Sequence, residues 1–206
     1  MDHAKDIRWL VLVEGPSDRT ALETLARRCG HDLERERVEL VSIGGAHAIG
    51  SVLSRLVQDV RVAGLCDEGE IRAFGRGLER VGMGPAGTQS ELEQLGFYVC
   101  RPDLEGELIR SLGAVGVEAV LERSGKLSSF RTFQKQPQWH DRPVEDQLRR
   151  FFGSSAGKIR YAPLLVEALE LERVPRPLAA LLAHVTADSE PPEGPSRRAV
   201  GRRSPS

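Results

Sequence analysis

Acidic residues recur at three points where buried strands are predicted to end. Glu14 and Asp18 flank the turn "EGPSD" after the apolar run "WLVLV". Asp67 and Glu70 follow the run "VAGLC", and Glu105 comes soon after "FYVC". Like charges about 4 Å apart repel by about 4 kcal/mol at an effective dielectric near 20, so such a cluster needs a counter-charge or partial protonation. Mg²⁺ supplies that charge, because it binds one or two carboxylates together with water and phosphates. The acids therefore predict a site for a hard divalent cation.

The elements that must position these acids alternate between strands and helices. Short apolar runs bounded by glycine, proline or charge predict strands at 8–13, 38–43, 60–66 and 97–100. Strands separated by helical patterns indicate a parallel sheet with helices on both faces. Ligands of such sheets bind beyond the carboxyl ends of the strands, which is where the acids fall. The fold class is therefore α/β, and we expect the acids to converge within metal-bridging distance.

The second half of the chain has mainly helical patterns. Helices are predicted at 104–112, 114–123, 144–152, 158–171 and 176–185, with an irregular stretch over 125–142. The glycine-rich stretch "FGRGLERVGMGPAGT" predicts a mobile loop. These patterns divide the chain into an α/β domain over 1–112, a helical C-terminal extension over 113–187 and a disordered tail over 188–206, which lacks any apolar pattern.

Composition narrows the class of protein. The 206 residues carry a formal net charge of −1, which gives no support to a strongly basic nucleic-acid binder. A metal site would still attract phosphates through its own charge. The longest aliphatic run is far too short to cross a membrane. Three cysteines without metal-ligand spacing favour a reducing compartment, so we expect a cytoplasmic protein.

The order of the motifs resembles the TOPRIM fold of the OLD-family nucleases. "VLVEGPSD" resembles the first TOPRIM motif, and "VSIGGAHAIGSVL" resembles the second strand and glycine turn of the OLD branch. "VAGLCDEGE" lies where the family has Asp-x-Asp, "RPDLEGELI" looks like the acidic helix start that follows, and "AGKIRYAPLLVEAL" is similar to the late Gly-Lys segment. The resemblance spans roughly residues 8–170 and implies a TOPRIM-like α/β domain over 1–112.

This resemblance also implies a role for individual residues. Glu14 matches the glutamate that ligates metal or acts as general base, and Lys158 matches the functional lysine. The implied ligands of Mg²⁺ or Mn²⁺ are Glu14, Asp18, Asp67, Glu70 and Glu105. Glu70 enters because Gly69 stands where the family has its second aspartate, and Glu68 is the other candidate substitute. The implied activity is a metal-dependent nuclease, with DNA as the favoured substrate.

Several alternatives stay open. Asp18 is as well suited to capping a helix as to binding metal. Lys158 is also typical of an ordinary exposed lysine at a helix start. The chain is alternatively a catalytically weak nucleic-acid-binding or assembly module, since Gly69 removes a ligand, or a receiver-like phosphoacceptor domain. OLD proteins carry an ATPase domain before this module, and no Walker motif precedes residue 14. We therefore expect a stand-alone module, with an ATPase partner in trans as an option.

Overall fold

Four parallel strands form a single sheet within the described part of the chain. The computed structural model describes residues 7–56, 60–153 and 155–187, so the predicted tail over 188–206 lies outside the described residues. The strands are β1 Trp9–Val13, β2 Val38–Ser42, β3 Arg61–Asp67 and β4 Phe97–Cys100, in the sheet order β2-β1-β3-β4. Each predicted strand is found within one residue of its expected ends, and the α/β class is confirmed.

Helices fill the chain between and after these strands. In the described residues they are α1 Pro16–Arg28, α2 Ile49–Leu53, α3 Ile71–Arg80, α4 Gln89–Gln94, α5 Leu104–Arg123, α6 Leu127–Gln134, α7 Val144–Phe152, α8 Ser155–Ala168 and α9 Arg176–Thr186. The two helices predicted over 104–123 are one element that is interrupted at Gly113, where φ is 68°. No helix in the described ranges is long and apolar enough to cross a membrane.

The sheet is buried on both faces, as the parallel topology requires. Trp9, Val11 and Val13 point to one face, where their apolar cluster includes residues of α1, α5, α8 and α9. Leu10 and Leu12 point to the other face and join the cluster that includes α2 and α3. The helices after residue 113 thus share one core with the sheet. The boundary drawn between residues 112 and 113 falls within α5, and the division into domains stays a prediction.

The prediction of a mobile glycine-rich loop is wrong at its start, because residues 74–80 belong to α3. Here glycine permits close packing. A Cβ on Gly75 would lie 2.2 Å from the carbonyl oxygen of Ala86, and one on Gly77 would lie 2.3 Å from Ile49. The irregular stretch expected over 125–142 also contains a helix, α6, which buries Phe130 completely. Both segments are helical because of how they pack against elements distant in the sequence, and local composition does not reveal that packing.

Candidate functional site

A cleft opens at the carboxyl edge of the sheet, where β1 and β3 end side by side. Glu14 directly follows β1, and Asp67 is the last residue of β3. A cavity of about 400 Å³ is lined by Glu14, Asp18, Asp67 and Lys158, with glycines in its wall. We call this cavity the acid cleft. It brings together three of the five predicted metal ligands and the predicted lysine.

The turn after β2 is fastened to the same edge by its glycines. Gly44 and Gly45 have φ values of 75° and 112°, which favour glycine. Their backbone N–H groups both donate to the carbonyl oxygen of Glu14, at 3.1 and 3.2 Å. The "GG" pair therefore forms part of the wall of the acid cleft. His47, which follows it, is exposed and does not line the cleft.

Asp18 caps helix α1 and lines the acid cleft at the same time. Its Oδ2 accepts a hydrogen bond of 2.8 Å from the backbone N–H of Gly15, which precedes the helix. Burial raises the pKa of Asp18 to about 6, and the charges of Glu105 and Glu14 add to that rise, while the Gly15 hydrogen bond and Lys158 oppose it. The capping alternative is confirmed, and it leaves the carboxylate at the cleft.

Asp67 and Glu14 also have raised pKa values. Burial raises the pKa of Asp67 to about 8, and the carboxylates of Asp18, Asp103 and Glu14 contribute to the increase. Burial likewise raises the pKa of Glu14, followed by repulsion from Glu70. The carboxyl edge therefore has too little positive charge to balance its acids. The Lys158 ammonium lowers the pKa of both groups and so offsets part of the repulsion between them. Such an arrangement favours an added cation or protonation.

Glu105 and Lys158 form an ion pair between the first turns of α5 and α8. The Lys158 Nζ lies 2.9 Å from Glu105 Oε2, and Glu105 is only 2% exposed. Burial opposes the charge on Lys158, but the hydrogen bond and the charges of Glu105, Asp103 and Asp67 outweigh it, so its pKa is raised. The second oxygen, Glu105 Oε1, is buried without a hydrogen-bond partner among the described residues. Glu105 thus contacts the acid cleft through Lys158.

The segment around Gly69 separates the two substitutes considered for the missing aspartate. Glu70 ends a 3₁₀ turn over Glu68–Glu70, is half-buried and raises the pKa of Glu14. Glu68 instead lies 3.6 Å from the Arg101 guanidinium. Neither lines the acid cleft. A Cβ on Gly69 would meet no atom within 4 Å, so an aspartate fits there.

The chemistry of these residues fits a hard divalent cation, although their side chains do not form a closed ligand set. Carboxylate oxygens are the ligands that Mg²⁺ prefers, and the raised pKa values and the unpaired Glu105 Oε1 mark where positive charge is lacking. Over the described ranges, no three Asp, Glu, His or Cys side chains lie close enough to hold a metal as they stand. The expected convergence of Glu14, Asp18, Asp67 and Glu70 within metal-bridging distance is therefore not met.

A second cleft, which we did not predict, adjoins the acid cleft. Its volume is about 610 Å³, and it shares Gly153 and Lys158 with the acid cleft. We call it the arginine cleft, and its lining includes Arg142, Arg149, Arg150 and Trp139. The signal in the sequence is basic residues interleaved with aromatic ones, in "QWHDR" and "LRRFF". His140 and Asp141, in the first of these, form an exposed hydrogen-bonded pair.

One alternative loses support from the topology. A receiver domain needs a lysine after a fifth strand, whereas the sheet in the described part of the chain has four strands. A parallel sheet with acids at its carboxyl edge and flanking helices is consistent with a TOPRIM-like fold.

Comparison with known proteins indicates which branch of TOPRIM proteins this chain resembles. Residues 8–66 match the family model "Overcoming lysogenization defect protein-like, TOPRIM domain". The resemblance expected from the sequence is confirmed over these residues, which match a TOPRIM domain of the OLD type. Comparison with curated protein sequences gives no match.

Solved structures agree with this assignment of the fold. The C-terminal region of the Xanthomonas campestris pv. campestris OLD protein has a TM-score of 0.65 at 19% identity, over 88% of this chain and 95% of that chain. The C-terminal region of the Burkholderia pseudomallei OLD protein has a TM-score of 0.61 at 17% identity, over 88% and 98%. The likeness extends beyond the matched residues 8–66 into the helical extension.

Proposed function

We propose that this protein is a Mg²⁺- or Mn²⁺-dependent nuclease that cleaves phosphodiester bonds in DNA. One observation carries the proposal: Glu14, Asp18, Asp67 and Lys158 line a single cleft at the carboxyl edge of an OLD-type TOPRIM sheet. Clustered carboxylates without enough neighbouring positive charge are suited to bind a divalent cation, and a nearby lysine is suited to bind a phosphate. These are the groups that metal-assisted phosphodiester hydrolysis requires.

The metal ion would be held by carboxylates of the acid cleft, with Glu70 and Glu105 as the further candidate ligands. When bound, it would polarise the scissile phosphate and lower the pKa of an attacking water. Glu14 has a raised pKa, so its carboxylate is suited to accept a proton as well as to bind the ion. Asp18 holds its position through the Gly15 hydrogen bond, which fixes one wall of the cleft.

Lys158 supplies the fixed positive charge of the site. Its raised pKa keeps the ammonium charged at neutral pH, so it acts as a donor to phosphate oxygens and not as a base. The buried Glu105 carboxylate holds that ammonium at 2.9 Å. A charge held in place before the reaction stabilises the transition state at little cost of reorganisation.

A specific pair of observations favours a second candidate, a catalytically weak nucleic-acid-binding or assembly module that works with an ATPase partner. Gly69 removes a carboxylate from the Asp-x-Asp position, and the described side chains do not form a closed ligand set. Under this candidate the chain binds nucleic acid and does not cut it.

Nicking of supercoiled plasmid separates the two candidates. We expect wild-type protein to nick plasmid with Mn²⁺ or Mg²⁺ and to stop when EDTA is added. Glu14→Gln keeps the size of the side chain and removes its charge, and we expect it to lower the rate by about 10²-fold or more. Glu68→Gln is the matched control, because that acid faces Arg101 and lies outside the acid cleft. Binding without cutting would favour the second candidate, and cutting that persists in Glu14→Gln would refute the assigned site.

A further inference from the structure

The arginine cleft contains positive charge that the fold itself does not use. Arg149 is paired with Asp103 at 2.8 Å, and Lys158 is paired with Glu105. Arg142 and Arg150 are exposed, and neither has an ion-pair partner within the described ranges. The remaining acid of the cleft is Asp146, so the unpaired groups carry a net positive charge. A net positive cleft beside a phosphate-processing site favours phosphate ligands.

The cleft also has an aromatic wall. Trp139 lines it and is partly buried, and Phe133 stacks on Trp139 with ring centroids 5.4 Å apart and an angle of 28° between the planes. Aromatic side chains in a basic groove are platforms on which unpaired bases stack. A paired base inside a duplex has both faces covered by its neighbours and cannot stack in this way.

A buried amide holds this wall in place. Gln147 is 5% exposed, and its Nε2 donates to the carbonyl oxygens of Trp139 and Arg142, both at 2.8 Å. Its side-chain oxygen accepts from Gln134 Nε2 at 2.6 Å. The segment from Trp139 to Arg142 is therefore fixed to α6 and α7 by a satisfied buried group, so the cleft is a built feature of the fold.

The geometry points to a single-strand subsite: the arginine cleft binds unpaired nucleotides of the substrate next to the scissile phosphate. Gly153 and Lys158 line both clefts, so a strand that leaves the acid cleft on this side enters the arginine cleft. Trp139 stacks on a base, while Arg142 and Arg150 bind phosphates. Because only an unpaired base has a face free to stack on Trp139, this subsite selects a frayed end, a gap or a single strand. This inference rests on the proposed function of the acid cleft and adds the form of substrate that it takes.

Binding measured without catalysis tests the subsite. Fluorescence anisotropy in EDTA compares a labelled short single-stranded DNA with a blunt duplex of the same sequence, so no result depends on cutting. We expect tighter binding of the single strand. Arg142→Gln with Arg150→Gln should lower the slope of log affinity against log salt by about 1.4, from about 0.7 for each lost phosphate contact. Trp139→Ala should weaken binding by about 10-fold, and Trp139→Phe should restore most of it.

Control variants separate this subsite from general charge and from the acid cleft. Arg123→Gln with Arg173→Gln removes the same charge from two exposed sites, the last residue of α5 and a turn that follows the C-terminal end of α8, and it should leave binding unchanged. Glu14→Gln should bind the single strand no more weakly than wild type, even if it has lost cleavage. The inference is overturned if the arginine variants match their control, or if the duplex binds as well as the single strand and Trp139→Ala has no effect. A protein that never cuts but shows these losses would refute the nuclease and keep the subsite.

Discussion

The two ends of the sheet treat their charged groups in opposite ways. At the amino end, Glu93 forms two hydrogen bonds with Arg176, at 2.8 and 2.6 Å, and this pairing lowers the pKa of Glu93 to about 2. Beside it, the Tyr98 hydroxyl lies 3.0 Å from His184 Nδ1, and His184 packs edge-on against Trp9. At the carboxyl end, burial and mutual repulsion raise the pKa of Asp67 to about 8.

This contrast shows which end of the sheet is optimised for stability. Both ends carry carboxylates. Glu93 at the amino end has a cation partner that stabilises its charged form, whereas the Glu14 and Asp67 carboxylates at the carboxyl end have no hydrogen-bond or ion-pair partner among the described residues. At the carboxyl end the fold keeps Glu14, Asp18 and Asp67 close together although their charges oppose one another. Buried groups with perturbed pKa values that face a cleft are typical of functional sites. The predictions below test the difference between the two ends.

Loss of the Lys158 charge is expected to have the largest effect. Lys158→Met should lower the rate of metal-dependent cleavage by about 10²-fold, with a smaller loss of DNA binding, because a charge that acts on the transition state contributes mainly there. Lys158→Arg keeps the charge and should retain part of the rate. Single-turnover cleavage and anisotropy measure the two quantities. An equal loss of binding and cleavage would reduce Lys158 to a binding residue.

Removing Lys158 also leaves Glu105 buried without its partner, which lowers stability. Lys158→Met combined with Glu105→Gln removes both charges and should recover the melting temperature but not the cleavage. If cleavage recovers with the melting temperature, the defect of the single variant is one of folding.

Restoring the missing aspartate should raise activity. Gly69→Asp places a carboxylate in open space between Asp67 and Glu70, so we expect a faster metal-dependent rate and tighter metal binding. Glu70→Gln should weaken metal binding, while Glu68→Gln should not, because Glu68 faces Arg101. Titration with Mn²⁺ measures the affinities. Equal effects of the Glu68 and Glu70 variants would remove Glu70 from the site.

Neutralising Asp67 should stabilise the metal-free protein. Its folded pKa of about 8 lies above the ordinary value near 3.8, so this group lowers stability progressively as the pH rises from about 4 to 8. Asp67→Asn should therefore raise Tm at pH 8, by about 2–4 °C for each kcal/mol of the burial cost and repulsion that it removes. At pH 4 it should leave Tm nearly unchanged. Added Mg²⁺ should stabilise wild type and not the variant. A gain that is independent of pH would contradict the assigned cause.

The smallest effect is expected at the amino end. Glu93→Gln should slightly lower Tm at neutral pH, since an ion pair this exposed contributes little. Glu93 has a depressed pKa, so its contribution is present above about pH 4.5 and is lost as the pH falls toward 2. Thermal melts at pH 7 and pH 3 measure this difference, and plasmid nicking should be unchanged. A loss of nicking in Glu93→Gln would contradict the assignment of the amino end to stability and the carboxyl end to function.

The sequence was most informative where residues next to each other decide the structure. The apolar runs predict all four strands, and the acids after them predict the edge of the cleft, because parallel strands bring their carboxyl ends together. The helix over α3 was missed, since Gly75 and Gly77 are explained only by packing against Ala86 and Ile49.

The partners of the site residues were harder to predict. Glu105 and Lys158 come from separate helices, and only the packing of α5 on α8 brings them to 2.9 Å. The arginine cleft was missed for the same reason, because its residues come from α7, the segment before it, and the first turns of α5 and α8. The side-chain geometry around a metal ion is likewise not determined by the order of acids along the chain.

The position of α8 in the chain has a consequence for protein synthesis. Glu14, Asp18 and Asp67 are translated early, whereas Lys158 and the helix that carries it emerge only after the sheet is complete. A nascent chain that stops before α8 has the acids but lacks their fixed cation, and it exposes the faces of α1 and α5 that α8 covers. On the proposed function, we expect such a prematurely terminated copy not to cleave DNA, because its acids lack the fixed positive charge of Lys158.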